Sequence, residues 1–307
     1  MQIVNGLENY KATKKSIVTL GTFDGVHIGH QKIIKKLLKK SDTTTSVLLT
    51  FFPHPRMVLQ DANDLKLLNT ITEKAHLLEK LGLETLIIQP FTKEFSRLSA
   101  VEFVRDVLVN KLNIDTLIIG YDHRFGKNRE GTFEHLQELA ELYNFKLKKI
   151  EAKEIKDVAI SSTKIRKAIQ NGEIEKANTY LGYNYILTGK VVHGKGLGKK
   201  WNYPTSNIQI LENYKLIPKT GVYIVSTSIN KIVHYGIMNI GFRPTLEGKH
   251  QTIEVHILDF NQDIYDKIIE VKLIKRLRNE QKFDSINQLI TQIKKDEKEA
   301  REFLFKK

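Results

Sequence analysis

Short apolar runs typical of buried strands alternate with helix-patterned segments through the first half of the chain, and this alternation constrains the fold most. Because a helix between two strands returns the chain to the end of the sheet where the first strand began, repeated units place their strands parallel in one sheet. The predicted strands are residues 17–20, 47–51, 86–88 and 117–119, and the predicted helices are 31–40, 72–81, 100–111, 133–143 and 163–170. The sequence therefore predicts a doubly wound α/β unit.

The pattern changes after about residue 183, where short β-rich runs are separated by Gly, Asn and Pro turns. This succession is typical of an antiparallel barrel or sandwich. The predicted strands are 185–192, 222–226, 232–240, 252–258 and 268–274, and a helix over 285–305 ends the chain. We predict two domains, residues 1–183 and 184–307, in keeping with roughly 100–200 residues for a domain.

The composition excludes several classes of protein. The chain has no cysteine, which rules out disulfides and thiolate metal sites, and no apolar run approaches the roughly 18–20 residues that span a bilayer. Its first residues lack the apolar stretch of a secretory signal. The net charge of +14 comes mostly from lysine, without the interleaved arginine and aromatic residues of a nucleic-acid platform. We expect a soluble, cytoplasmic protein that takes small anionic substrates and binds neither nucleic acid nor membrane.

The segment between the first predicted strand and helix carries two histidines, His27 and His30. Gly21 and Gly25 permit a tight turn that delivers backbone N–H groups to a helix N-terminus, where anions bind. Imidazole donors there can strengthen as charge builds on a reacting phosphate. The candidate nucleotide-binding residues of this turn are Gly21, Phe23, Asp24 and Gly29. Ordinary turn histidines are the alternative, but the strand–turn–helix context favours a site for nucleotide phosphates.

Two further polar loops, residues 52–55 and 120–126, follow predicted strands, as the histidine-bearing turn does. In open α/β sheets the ligand lies at the carboxyl ends of the strands. We therefore expect the three loops to converge on one site.

A second phosphate-binding element is predicted at residues 160–166. The hydroxyl residues Ser161, Ser162 and Thr163 stand where a helix begins, and Arg166 lies one turn into that helix. Serine or threonine before a helix is ordinarily only an N-cap. Three consecutive hydroxyls followed by an arginine favour a polyphosphate site, because bidentate guanidinium contacts suit phosphate geometry.

The second half contains a glycine-rich segment with Gly194, Gly196 and Gly198, followed by Thr205 and Asn207. Mobile backbone amides can close over phosphates, and a threonine hydroxyl can join the oxygen shell of Mg²⁺. A plain turn between strands is the alternative, and no Walker-type Gly-Lys-Ser/Thr is present.

Glu254 falls within an alternating strand pattern. A kinase that acts on an alcohol needs a carboxylate near the attacking hydroxyl to accept its proton. Glu254 is a candidate for that base if its face turns toward the phosphate segment. A solvent-facing strand carboxylate is the alternative.

Eight segments occur in order along the chain: GTFDGVHIGH, TFFPHP, GYDHRFG, ISSTKIR, GKGLGKKWNYPTSNI, GIMNIGFRPT, IEVHILDF and RLRNEQKF. Together they resemble the bacterial bifunctional riboflavin kinase/FAD synthetases over nearly the whole chain. The resemblance implies a Rossmann-like nucleotidyltransferase domain that joins FMN to the AMP moiety of ATP with magnesium and releases pyrophosphate. It also implies a C-terminal β-barrel kinase that makes FMN from riboflavin and ATP.

The same resemblance implies a role for each candidate residue. His27 and His30 would contact the ATP phosphates and stabilise charge at the α-phosphorus, and Asp122 would line the flavin and nucleotide cleft. The residues that would hold the triphosphate are Ser161, Ser162, Thr163 and Arg166. In the kinase half, Thr205 and Asn207 match the segment that contacts magnesium and phosphate, Glu254 matches the general base, and Gly194, Gly196 and Gly198 match the phosphate flap.

Three positions depart from the pattern of this family. Asn202 stands where glycine is usual, Ser206 replaces alanine, and Asp266 replaces the glycine of Tyr-Gly-Lys. None of them removes a catalytic group, and Asn202 bears on the flexibility of the flap.

Two other readings of the motifs stay open at this stage. One is a related adenylyl- or cytidylyltransferase with a different acceptor, for which the second half would serve no purpose. The other is an RNA-binding protein, because the letters His-Ile-Gly-His also occur in aminoacyl-tRNA synthetases. No recognisable RNA-binding module follows them.

Overall fold

The computed structural model describes residues 1–39, 43–60, 64–120, 125–127, 130–150, 160–194, 203–245 and 248–305, of which 243–245 and 248–250 are described by their backbone alone. The chain forms two compact units, Met1–Ser162 and Thr163–Lys307. Residues 163–183, which the sequence interpretation places in the first domain, pack within the second unit. The boundary at 183 stays a prediction, since a spatial division does not show which residues each activity needs.

The first unit is built on a six-stranded sheet with the order β1-β4-β3-β2-β5-β6. Its strands are β1 (Gln2–Asn5), β2 (Lys15–Leu20), β3 (Thr44–Phe52), β4 (Thr85–Pro90), β5 (Ile114–Gly120) and β6 (Lys146–Ile150). Each neighbouring pair is parallel. This confirms the predicted doubly wound sheet.

Helices connect these strands. They are α1 (Ile28–Leu37), α2 (Pro55–Leu59), α3 (Ile71–Lys80), α4 (Ala100–Glu102, continuing as π-helical turns over Phe103–Lys111) and α5 (Phe133–Leu142), with short 3₁₀ turns at Leu7–Asn9 and Phe95–Arg97. Two of these helices begin with capping boxes: Thr70 and Glu73 cap α3, and Ser99 and Glu102 cap α4.

The sheet is buried on both faces. Along β3, Val47 and Leu49 join one apolar cluster with Leu108 of the π-helical turns, whereas Leu48 joins another with Ile34 of α1. Successive strand residues point to opposite faces. A continuous apolar run such as that of β3 therefore needs helices on both sides of the sheet, which is what the fold provides.

The second unit contains a closed antiparallel barrel with the order β10-β11-β8-β7-β12-β9. Its strands are β7 (Tyr185–Val192), β8 (Ser206–Gln209), β9 (Gly221–Ile229), β10 (Ile232–Thr245), β11 (Gly248–Ile257) and β12 (Ile268–Arg278). The helices are α6 (Ser162–Asn171), α7 (Ile174–Leu181) and α8 (Ile286–Phe305). The strand pattern alone left barrel and sandwich open, the family resemblance implies a barrel, and the structure confirms the barrel.

Several elements differ from the predicted ones. The sequence interpretation missed β1, β6, β8, α2 and α7, and it placed the end of α1 at 40, whereas this helix ends at Leu37. The edge strands have little apolar pattern: β6 reads KLKKI and buries only Ile150. An edge strand packs against one neighbour, so its sequence carries a weaker signal.

Helix α8 is fastened to the barrel by a buried ion pair. Ala300 of α8 is fully buried against Val222 and Ile224 of the barrel. The guanidinium of Arg278 donates from Nη2 to Asp296 Oδ2 at 2.7 Å and from Nε to Oδ1 at 2.9 Å. The Asp296 side chain is only 6% exposed.

We expect Asp296→Ala to lower the free energy of unfolding by about 3–5 kcal/mol, because it leaves the arginine charge buried without its partner. Asp259→Ala is the matched control. Asp259 receives an equally bidentate arginine, Arg301, at 2.8 and 2.9 Å, but it is 74% exposed. Exposed pairs contribute less than about 1 kcal/mol. Urea denaturation of the two variants measures the difference, and equal losses would contradict this account of α8.

Candidate active sites

The turn between β2 and α1 has the tight backbone that its glycines predict. Gly21 has φ +148° and Gly25 has φ +87°, and the Gly21 N–H donates to Leu49 O of β3 at 3.0 Å. Phe23 and Val26 also have positive φ, +45° and +38°, which is strained for residues with a side chain. Their side chains are buried in the core, and this burial offsets the strain.

The structure brings His27 and His30 together at the start of α1. His27 is the N-cap, and its Nδ1 accepts from the His30 backbone N–H at 3.4 Å. The two imidazole rings stack with centroids 3.7 Å apart, and the Phe23 ring lies 4.6 Å from that of His30. Gly29 is buried within the first turn of the helix. The two histidines therefore share one face, as the sequence predicts.

Burial keeps both histidines uncharged. It lowers the pKa of His27 to about 4, although Asp24 acts in the opposite direction. Burial, then His27 and Lys74, hold the pKa of His30 well below its ordinary value. Each ring is thus neutral at pH 7 and has one N–H donor and one acceptor nitrogen. Nδ1 of His30 is buried and makes no hydrogen bond to the described residues, so a polar ligand would satisfy it.

Asp24 stabilises the same turn through hydrogen bonds of its side chain and of its backbone carbonyl. Its side chain is buried, and Oδ1 accepts from the backbone N–H groups of Leu68 at 2.9 Å and Asn69 at 3.4 Å. Its backbone carbonyl accepts from Ser162 Oγ at 2.9 Å. The contacts of Asp24 hold the turn in place, and its role toward a nucleotide stays a prediction.

Lys74 of α3 is a residue of this site that sequence reasoning missed. Its Nζ donates to Thr22 O at 2.7 Å, and the side chain is buried. Burial lowers its pKa to about 8, against the attraction of Asp24. A lysine in an amphipathic helix normally faces solvent, and the sequence around Lys74 does not indicate otherwise.

The predicted hydroxyl element stands at the start of a helix. Ser162 is the first residue of α6. The structure describes the chain from Ile160 onward into this helix. Ser161 and Thr163 are exposed and Arg166 is half-buried. Through its bond to Asp24 O, Ser162 joins this element to the histidine turn within the first unit.

The three predicted loops follow neighbouring parallel strands. β3, β2 and β5 are adjacent in the sheet, so the first two loops leave from the same edge. In the second loop, His54 caps α2 by accepting from the Arg56 N–H at 3.1 Å. The third loop, with Asp122, lies largely outside the described residues, and the convergence of all three stays a prediction.

The barrel gathers a second group of candidates. Glu254 of β11 pairs in register with Asn207 of β8 on one side and with Asn239 of β10 on the other. Thr205 Oγ1 donates to Glu254 Oε2 at 3.5 Å. Ile253 and Val255 point into the core, so Glu254 lies on the opposite face, half-buried among these polar groups. Sequence reasoning missed Asn239, because strand register brings it here.

Gly194 lies against this group. A Cβ at Gly194 would stand 2.1 Å from Nδ2 of Asn207, so a larger residue at 194 would displace the Asn207 side chain from its present position. Pro204, next to Thr205, is fixed by a 2.8 Å contact between its carbonyl oxygen and Nδ1 of His256. Gly196, Gly198 and Asn202 lie outside the described residues.

Residues 190–193, which precede the glycine-rich segment, contact the loop between β11 and β12. The His193 ring stacks on Tyr265 at 3.8 Å, and Lys190 Nζ contacts Asp266 Oδ1 at 2.8 Å. Asp266, which departs from the family pattern, has φ +62°, and glycine adopts that conformation more easily. The contact with Lys190 lowers the pKa of the Asp266 carboxyl.

The fold places the chain in the class of proteins that join a parallel α/β unit, the kind of sheet that binds ligands at the carboxyl ends of its strands, to an antiparallel barrel. Residues 9–164 match the family model of FAD synthetase, and residues 181–304 match that of riboflavin kinase. The chain belongs to the family of bifunctional riboflavin kinase/FMN adenylyltransferases.

Relatives of this family are similar over nearly their whole length. The bifunctional riboflavin kinase/FMN adenylyltransferase of Buchnera aphidicola subsp. Schizaphis graminum is 40% identical over 304 residues, with 96% of each chain covered. That of Listeria monocytogenes is 39% identical over 294 residues, with 94% of this chain and 93% of the relative covered. These relatives favour the flavin enzymes over the other two readings of the motifs.

One solved structure shares the fold throughout. A Streptococcus pneumoniae protein described as a macrolide-efflux protein is 30% identical and has a TM-score of 0.87, with 98% of this chain and 99% of that chain covered.

Among the helices that the structure describes, none has both the length and the apolar composition of a membrane-spanning segment.

Proposed function

We propose that the barrel phosphorylates riboflavin with ATP to give FMN and ADP, and that the α/β unit joins FMN to the AMP moiety of ATP to give FAD and pyrophosphate. One observation carries the second assignment: two neutral, stacked histidines stand at the N-terminus of α1, within the residues that match FAD synthetase. The Thr205–Glu254 contact supports the first.

In adenylyl transfer, an oxygen of the FMN phosphate attacks the α-phosphorus of ATP, and the bond to pyrophosphate breaks. Negative charge builds on the oxygens around that phosphorus. Neutral His27 and His30 have ring N–H donors for this charge, and the N-terminus of α1 adds its dipole. Ser161, Ser162, Thr163 and Arg166 bind the triphosphate, the last as a bidentate donor. Asp122 binds the flavin side.

In riboflavin phosphorylation, Glu254 accepts the proton of the ribityl hydroxyl as its oxygen attacks the γ-phosphorus and ADP leaves. The strand pairing of Glu254 with Asn207 keeps the carboxylate beside the residues that face the phosphates. The flap of Gly194, Gly196 and Gly198 donates backbone N–H groups to them.

The donor set of the barrel site fits magnesium. Mg²⁺ prefers oxygen ligands and takes only one or two from the protein, with the rest from phosphates and water. Thr205 supplies a hydroxyl oxygen and Asn207 an amide oxygen, side by side with Glu254. We propose that these two residues hold the ion, which neutralises phosphate charge when bound.

The partners of the protein under this proposal are the small molecules ATP, riboflavin and FMN, and it acts in the cytoplasm.

The products of separate incubations test this assignment. With FMN, ATP and Mg²⁺, one pyrophosphate is expected for each FAD formed. With riboflavin in place of FMN, the early phase yields one ADP for each FMN formed. Excess EDTA is expected to stop the riboflavin reaction, whose site holds the proposed ion. ADP instead of pyrophosphate in the FMN reaction, or transfer to FMN from CTP as readily as from ATP, would contradict the proposal.

A further inference from the structure

Lys74 is a buried cation under the histidine turn. Its side chain comes from α3, the residue is 3% exposed, and its Nζ donates to Thr22 O at 2.7 Å. A lysine is almost never fully buried unless its charge has a partner, because removing an ammonium group from water is costly. Its place in the fold therefore calls for a reason beyond the packing of α3.

Two groups on other elements interact electrostatically with the Lys74 ammonium. Asp24 of the turn attracts it, although Asp24 Oδ1 already accepts from two backbone N–H groups. His30 of α1 is close enough for its own pKa to be lowered by Lys74. On α3 itself, the carboxylate of Glu73 accepts from the Thr70 N–H in the capping box.

The two histidines bring no charge to this place. Both are neutral at pH 7 because they are buried. A nucleotide triphosphate is strongly anionic, and a buried positive charge acts on it with little screening by salt. Lys74 supplies such a charge, and through Thr22 it also fixes the backbone on which Phe23, Asp24 and His27 depend.

We propose that Lys74 is a positioning residue for adenylyl transfer, which holds the Thr22 carbonyl in the ATP-binding turn and provides positive charge behind His30. This inference rests on the proposed function of the α/β unit. Its predicted signature is a pH dependence that belongs to a lysine. Because burial lowers the Lys74 pKa to about 8, the charge is present below that pH and is lost above it. The kcat/KM for ATP in FAD formation therefore falls as the pH rises through about 8.

Two substitutions separate charge from packing. Lys74→Met keeps the length of the side chain and removes the charge, and we expect kcat/KM for ATP to fall about 10- to 100-fold, the usual range for a lost hydrogen bond to a charged group. Lys74→Arg keeps the charge at every pH of interest, so the decline near pH 8 is expected to disappear. Lys80→Met removes an exposed lysine from the same helix and is expected to leave kcat/KM unchanged.

Riboflavin phosphorylation by the same preparations is expected to be unchanged, because that activity belongs to the other unit, and circular dichroism reports whether each variant is folded. An unchanged kcat/KM in Lys74→Met, or a decline near pH 8 that persists in Lys74→Arg, would overturn the proposal. If neither variant folds, NMR titration of the unaltered protein labelled at lysine Cε decides: one lysine titrates near pH 8 and its pKa rises when ATP binds, or the proposal fails. Failure of the proposed function is a separate result, since the unaltered protein would then make no FAD.

Discussion

His30→Ala is expected to lower the rate of FAD formation from FMN by about 100- to 1,000-fold, the usual cost of removing one donor that stabilises transition-state charge. The His30 ring stacks on His27 at the N-terminus of α1, where anions bind. Riboflavin phosphorylation is expected to continue at the unaltered rate, because Glu254 and Thr205 lie in the barrel. Chromatography of the flavins formed from FMN, and separately from riboflavin, measures both rates.

His76→Ala is the matched control for this experiment. His76 lies in the same unit, on the exposed side of α3. Its removal is expected to change neither rate. If His30→Ala formed FAD as fast as His76→Ala, the histidine pair would have no part in adenylyl transfer.

Glu254→Gln is expected to slow FMN formation from riboflavin by about 100- to 10,000-fold, the range for loss of a general base. Glutamine keeps the size of the side chain and can still accept from Thr205 Oγ1, but it cannot take the proton of the ribityl hydroxyl. FAD formation from supplied FMN is expected to stay unchanged. The two rates are measured in the same preparation, and circular dichroism of the variant checks that the barrel is still folded.

Glu270→Gln is the corresponding control in the barrel. Glu270 is a half-buried carboxylate of β12, and its Oε1 contacts Lys272 Nζ at 3.2 Å. It differs from Glu254 in having no threonine or asparagine of the candidate site next to it. An unchanged rate of riboflavin phosphorylation in Glu254→Gln would show that Glu254 is an ordinary strand carboxylate and not the general base. Silencing of both activities by either His30→Ala or Glu254→Gln in folded protein would contradict the assignment of two separate sites.

The parts of the fold that were predictable carry strong local patterns. The run of β3 is apolar on both faces, and the strand predicted over 185–192 has the bounds of β7. The turn before α1 was readable because two glycines and two histidines have steric and chemical meanings that do not depend on distant residues. The sequence also contains a signal for the end of helix α7, because Gly182 adopts the left-handed conformation that commonly ends helices.

The parts that were not predictable depend on contacts between distant segments. Thr205 and Glu254 are 49 residues apart, and only the register of β8 with β11 brings them together. Asn239 joins them through the register of β10. Lys74 reaches Thr22 across 52 residues, and no local rule tells a buried lysine from a solvated one on an amphipathic helix. The hydrophobic pattern of the sequence thus predicts the helices and strands, whereas tertiary packing brings the residues of each candidate site together.

A time course of flavins from riboflavin, with excess ATP and Mg²⁺ and this protein alone, tests the central claim most directly. The account predicts that FMN appears first and then declines as FAD accumulates, because one chain holds both sites. FMN that accumulates without FAD would contradict the assignment of the α/β unit. Riboflavin that stays unchanged, in a preparation that converts added FMN to FAD, would contradict the assignment of the barrel.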